Sequence, residues 1–186
     1  MTAEVFVNEL EKLCPDKDVF FKNWGEVIDQ YWIDMFFIKK ISITDNEDED
    51  VLRNLIDNYD VSAICFEDFR LFNKMKNVES LNAFCGASHS FLGYRSISDE
   101  IVEYDQYNFH PLHVCAKDGS SFIDTLLVLM EMYSLRIQGI ITRNDIKVNT
   151  EYLNRCLEKA GKAEAEFYIR IIFPYNSRPV DMTLYN

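Results

Sequence analysis

Glycine and proline are scarce, at 6 and 4 of 186 residues, and no stretch is repeated or low in complexity. Their scarcity argues against a collagen-like, linker-rich or repeat architecture. With 48% hydrophobic and 14% aromatic residues, disorder is excluded as well. Long apolar runs are also missing. Charges interrupt each one, so no membrane-spanning helix is expected. The opening residues, MTAEVFVNELEKLC, carry acid where a secretory leader carries base ahead of an apolar core, so no leader is expected there. Cys14, Cys65, Cys85, Cys115 and Cys156 are odd in number, widely spaced and free of any Cys-x-x-Cys pair. Such spacing suggests neither a disulfide framework nor a zinc site, and reduced thiols in a cytoplasm fit it best.

Positive charge is in short supply too. Lys and Arg number 19 against 31 Asp and Glu, a formal charge of −12. A field of that sign repels phosphate backbones and removes most of the electrostatic drive for nucleic-acid binding. It favours a basic protein partner, and it also serves plain solubility.

What is present reads as one α+β domain spanning 1–186. Residues 3–13 have helical spacing, with Val5, Phe6, Leu10 and Leu13 near one face, and Pro15 ends them. The segment 18–43 is mixed, helical at first and strand-like in FFIKKISI. Acidic residues then gather ahead of Val51, Leu52, Leu55, Ile56 and Tyr59, as at a helix start. VSAICFE (61–67) suggests a buried strand and KMKNVESLNAF a short helix. From 89 onward, SFLGYRSI, DEIVEYDQ and PLHVCAK suggest an antiparallel meander. Helices are expected over 121–137 and over NTEYLNRCLEKAG up to Gly161, while AEAEFYIRIIF fits helix or strand by pattern alone, with helix favoured.

The stretch HPLHVCAKDGSSFIDTLLVLMEMY (110–133) holds two histidines and a cysteine. On a strand, Leu112, Val114 and Ala116 point one way and His113, Cys115 and Lys117 the other. His110 and His113, three apart, then face opposite ways and make a poor metal pair. His113 beside Cys115 has the residue types of a base and a nucleophile, but nothing local supplies an orienting acid or an oxyanion site. Ser121 and Asp124 have capping-box spacing. Behind them Phe122, Leu126, Met130 and Tyr133 make a stripe that neighbouring apolar residues widen until only a narrow polar edge is left. A helix of that kind must be covered on more than one side.

Other motifs stop short of chemistry. In GASHS (86–90), Ser90 stands where a nucleophile elbow needs glycine. Asp45-Asn46-Glu47-Asp48-Glu49-Asp50 has the charge of a calcium loop, but its sixth position is Asp50 rather than Gly and its twelfth is Ile56 rather than Glu. Phosphate-binding glycine loops are absent. No cofactor or metal is expected.

The stretch SISDEIVEYDQYNFHPLHVCAKDGSSFIDTLLVLM resembles the end of the SUKH superfamily, which includes cell-wall-assembly regulators and bacterial immunity proteins. Ala116, Ser121, Phe122, Asp124 and Leu126 match its Ala-x-Ser-Phe-x-[Glu/Asp]-Phe-Leu pattern. Thr125 replaces the usual aromatic, and extra residues separate Ala116 from Ser121. The resemblance covers about residues 89–172. It implies a twisted, mainly antiparallel sheet surrounded by helices and a non-enzymatic role, that of binding and neutralising a cognate toxin.

The leading expectation is therefore a cytoplasmic binding protein for a basic toxin domain, contacting neither nucleic acid nor membrane. Asp45, Glu47, Asp48, Glu49, Asp50, Glu103 and Asp105 are the nominated partner-binding acids. The rival readings are a hydrolase or transferase using Ser88, His89, His113 or Cys115, and a self-associating scaffold.

Overall fold

The computed structural model describes residues 1–16, 18–19, 33–41 and 50–174. In chain order the elements are α1 (Ala3–Lys12), β1 (Lys39–Lys40), α2 (Val51–Asn58), β2 (Tyr59–Asp60), β3 (Cys65–Phe66), β4 (Phe69–Val78), β5 (Leu81–Gly86), β6 (Ser90–Tyr94), β7 (Ile101–Asp105), β8 (Pro111–Ala116), α3 (Gly119–Ile137), α4 (Ile146–Ala160) and α5 (Ala165–Ile172). β1 and β2 form a small antiparallel pair, while β3 to β8 pair in sequence order as one curled antiparallel sheet. Five helices among the described residues complete an α+β fold.

Four of the described helices start where a short polar side chain takes a free N–H group of the first turn. Thr2, Asp50, Asp118 and Asp145 cap α1, α2, α3 and α4. At α3 the cap is Asp118, which accepts from the Ser121 N–H at 2.7 Å; the helix therefore begins two residues before the expected Ser121–Asp124 box. Gly161, at φ 71°, closes α4 in the left-handed region that glycine tolerates. α3 is buried on nearly every side, including Phe122, Leu126, Met130 and Tyr133, as its composition requires.

Two segments differ from the sequence reading. KMKNVESLNAF is the β4–β5 hairpin rather than a helix, and its turn residues Glu79 and Ser80 both have positive φ without being glycine or asparagine. In VSAICFE only Cys65–Phe66 is strand.

The sheet has two unlike faces. The first packs on the helices, and Phe84, Cys85, Leu92, Ile101, Cys115 and Ala116 join the main core there. Phe84 stands edge-on to Phe122 of α3 at 5.2 Å, and the Tyr168 hydroxyl of α5 donates to the Cys115 carbonyl at 2.6 Å. Each large side chain buried in this layer stabilises the fold by about 1.5–3 kcal/mol. The opposite face carries a separate cluster of Ala83, Phe91, Val102 and Tyr104, to which no described helix contributes. The described helices thus cover one face of the sheet.

Bulges sort residues between the faces. A register shift between Ala83 and Cys85 lets both Phe84 and Cys85 reach the main core. A similar shift in β8 brings Cys115 and Ala116 to the helix side and leaves Val114 with the second cluster. The strict alternation expected for PLHVCAK does not survive it.

Candidate functional site

Asp50 organises one end of the molecule. Its Oδ1 accepts from the N–H groups of Leu52 (2.9 Å) and Arg53 (3.1 Å), which starts α2, and from the Tyr94 hydroxyl at the end of β6 (2.8 Å). Burial above all, and then the Asp50 charge, push the Tyr94 phenol far above its ordinary range, so it serves as a neutral donor. The Arg53 guanidinium lies over the Tyr94 ring, 4.8 Å from its centre. Gly119, the first residue of α3, closes the group. A Cβ there would stand 2.6 Å from Asp50 Oδ1 and 2.8 Å from the Tyr94 oxygen, so only glycine lets the two helix starts approach this closely.

Around this junction opens a cleft of about 480 Å³, lined by Asp50, Val51, Arg53, Asp99, Asp118, Gly119 and Ser120. A second hollow of about 310 Å³, sharing Arg53 and Asp99, runs beneath the β6–β7 hairpin past Asn82, Tyr94 and Arg95. That hairpin is braced by Glu100, which pairs with Arg95 at 2.6 Å and with Lys162. At its tip Ile97 is 92% exposed. Two helix N-termini meet at the cleft, an arrangement that ordinarily attracts anions. Here each is already capped by its own aspartate, and three carboxylates face one guanidinium. The balance is negative, and the groups this cleft attracts are ammonium and guanidinium.

The nominated acids fare differently. Asp45, Glu47, Asp48 and Glu49 lie outside the described residues. Asp50 reaches the cleft, although its carboxylate also holds the fold together. Glu103 is a correction: it is fully buried on the helix side of β7, where it accepts from the Ser90 hydroxyl at 2.7 Å and is paired with Arg170 of α5. A carboxylate in that position serves the interior. Asp105 is half-buried and accepts from the N–H groups of Tyr107 and Asn108, tying its own turn.

The residues of the hydrolase reading are not joined into one array. Cys115 is buried, and burial drives its thiol far above the ordinary range, the opposite of what a nucleophile needs. His113 turns its Nδ1 to Glu164 at 3.0 Å. Ser88 and His89 are exposed at the β5–β6 turn, with the His89 ring 6.5 Å from Tyr107. Among the described residues no hydrogen bond joins Ser88 or His89 to the His113 or Cys115 side chain, and no three His, Cys, Asp or Glu residues are placed to hold a metal ion. His110 is exposed and has no part in such a group. No disulfide joins any two of the five cysteines. No described helix is long and apolar enough to cross a membrane.

Sequence reasoning missed Arg53, Tyr94, Asp99 and Asp118. Only Asp118 had a local signal, an aspartate followed by glycine just ahead of an apolar helix. The others belong together only because β6, the hairpin and two helix starts converge. Comparison with known family models, curated proteins and solved structures finds no match.

Proposed function

We propose that the chain is a non-enzymatic protein-binding module whose acidic cleft receives a basic segment of its partner. The observation that carries this reading is the convergence of Asp50, Asp99 and Asp118 on one open cleft of about 480 Å³ in a chain of charge −12. A lysine or arginine entering it meets carboxylates that the fold already holds in place, so little ordering accompanies binding. Ile97, on the adjoining hollow that shares Arg53 and Asp99 with the cleft, supplies an apolar anchor near the charge, the mixture that specific interfaces show. Long-range attraction speeds capture of a basic partner and weakens as salt rises. The narrower form of the proposal, an immunity protein that occludes a basic toxin domain, rests on the SUKH resemblance of residues 89–172.

Site-specific photo-crosslinking in the native host tests this. A photoreactive residue at Ser120, on the cleft, or at Ser96, in the adjoining hollow, should capture one basic protein, and captured material should fall with added salt. The same residue at Glu151, on the exposed side of α4, should capture none of it. Equal capture from all three positions, or none from the cleft, would refute the proposal.

A further inference from the structure

The sheet face that no described helix covers differs in chemistry from the acidic cleft and is separate from it. Cross-strand neighbours on this face run Lys76, Ala83, Gly93, Val102 and Val114 from β4 to β8. Ala83 and Val102 are fully buried, although the cluster around them is built from strand and turn residues alone. Aromatic rings flank them: Phe91 stacks on Tyr104 at 5.4 Å, and Phe109 lies 6.3 Å from Phe91. Phe109 takes φ 58°, which a bulky side chain adopts only when its surroundings hold it there.

This face does not close completely. A hollow of about 430 Å³ is left between the rings of Phe72 and Phe91, over a floor of Ala83, Gly86 and Ala87. The small floor residues create it, and Gly86 seats Phe72, since a Cβ there would stand 2.9 Å from the Phe72 ring. Its volume falls within the range of small-molecule sites. The charge at its edge selects the occupant. Lys76 is the one charged residue lining the hollow, and its ammonium rests 3.6 Å from the centre of the Phe72 ring. Among the described residues no carboxylate lies within ion-pair distance of it, in a chain where acids outnumber bases 31 to 19.

We infer that the hollow binds a small amphipathic anion, an apolar body with one carboxylate, with its tail on Ala83, Gly86 and Phe91 and its head on the Lys76 ammonium. Apolar burial supplies the affinity and the ammonium sets the sign of the head group.

Isothermal titration with decanoate, 1-decanol and decyltrimethylammonium tests the proposal. Wild-type protein should bind decanoate saturably and more tightly than decanol, with the cation weakest. Amide NMR shifts on titration should centre on Ala83, Gly86 and Phe91. Lys76 is exposed, so Lys76→Glu should fold normally. It should weaken decanoate about tenfold, by removing one rim ion pair and adding a repulsion of similar size, while decyltrimethylammonium gains. Decanoate binding no tighter than decanol, an order of affinities unchanged in Lys76→Glu, or shifts centred elsewhere would each overturn the assignment.

Discussion

The two faces of the six-stranded sheet solve opposite problems with the same strands. Toward the helices stand large residues that interlock with α3 and α5, and the one carboxylate among them, Glu103, is matched by Arg170 and Ser90. On the other face the neighbours are small or aromatic, and among the described residues Lys76, which lines the hollow, has no carboxylate within ion-pair distance. A face whose buried carboxylate is matched in this way holds a protein together. One that leaves room and a charge is shaped to meet something else. The bulges at Phe84 and Cys115 make this division possible, because each moves one extra residue to the helix side without disturbing the strands around it.

That contrast can be broken by mutation. Phe84→Ala, which removes a fully buried ring from between Phe122 and Tyr94, should cost about 3–5 kcal/mol in denaturant unfolding. Phe72→Ala on the other face removes a half-buried ring and should cost about 1–2 kcal/mol. Equal losses would mean that the helix-free face carries as much of the stability. Arg170→Ala should cost about 3 kcal/mol by stranding the Glu103 carboxylate, and Glu103→Leu with Arg170→Met should recover most of it. A cheap Arg170→Ala would show that Glu103 does not depend on its partner.

Smaller effects sharpen the account at the cleft and on the outer helices. Gly119→Ala forces a methyl against Asp50 and Tyr94 and should cost about 1–3 kcal/mol, with NMR shifts concentrated at Arg53 and Tyr94. The Glu131 carboxyl is held below its ordinary range, chiefly by two hydrogen bonds from Arg155 at 2.9 and 2.6 Å and also by the Tyr152 hydroxyl. Its folded pKa is thus depressed, so its stabilisation is fully present above the ordinary carboxylate value of 4.5 and is lost as pH falls through the folded value. Wild type should exceed Glu131→Gln by under about 1 kcal/mol at neutral pH, because this pair is about one-third exposed. The gap should narrow below about pH 4.5. A gap that widened in acid would reverse the sign of this linkage.

The sequence made the core legible and hid the sites. Residues 121–137 announced a central helix because apolar side chains surround it, and the strands of 90–116 showed in their β-rich composition and polar breaks. The β4–β5 hairpin went unrecognised because Glu79 and Ser80 hold left-handed conformations that glycine or asparagine ordinarily signals. Glu103 reads as a surface acid until Arg170, 67 residues further on, is brought against it. Asp50, Asp99 and Asp118 each sit at the edge of a different element, so no local pattern links them. The hollow on the helix-free face depends on which of Ala83, Gly86 and Ala87 lie side by side, and bulges decide that.

Titration of isotope-labelled protein with an octalysine peptide, followed by amide NMR shifts, tests most directly that the acidic cleft is the recognition surface. The account predicts salt-sensitive shifts centred on Arg53, Asp99, Gly119 and Ser120, lost in Asp99→Lys. Shifts spread evenly over the acidic exterior, or unchanged by Asp99→Lys, would contradict it.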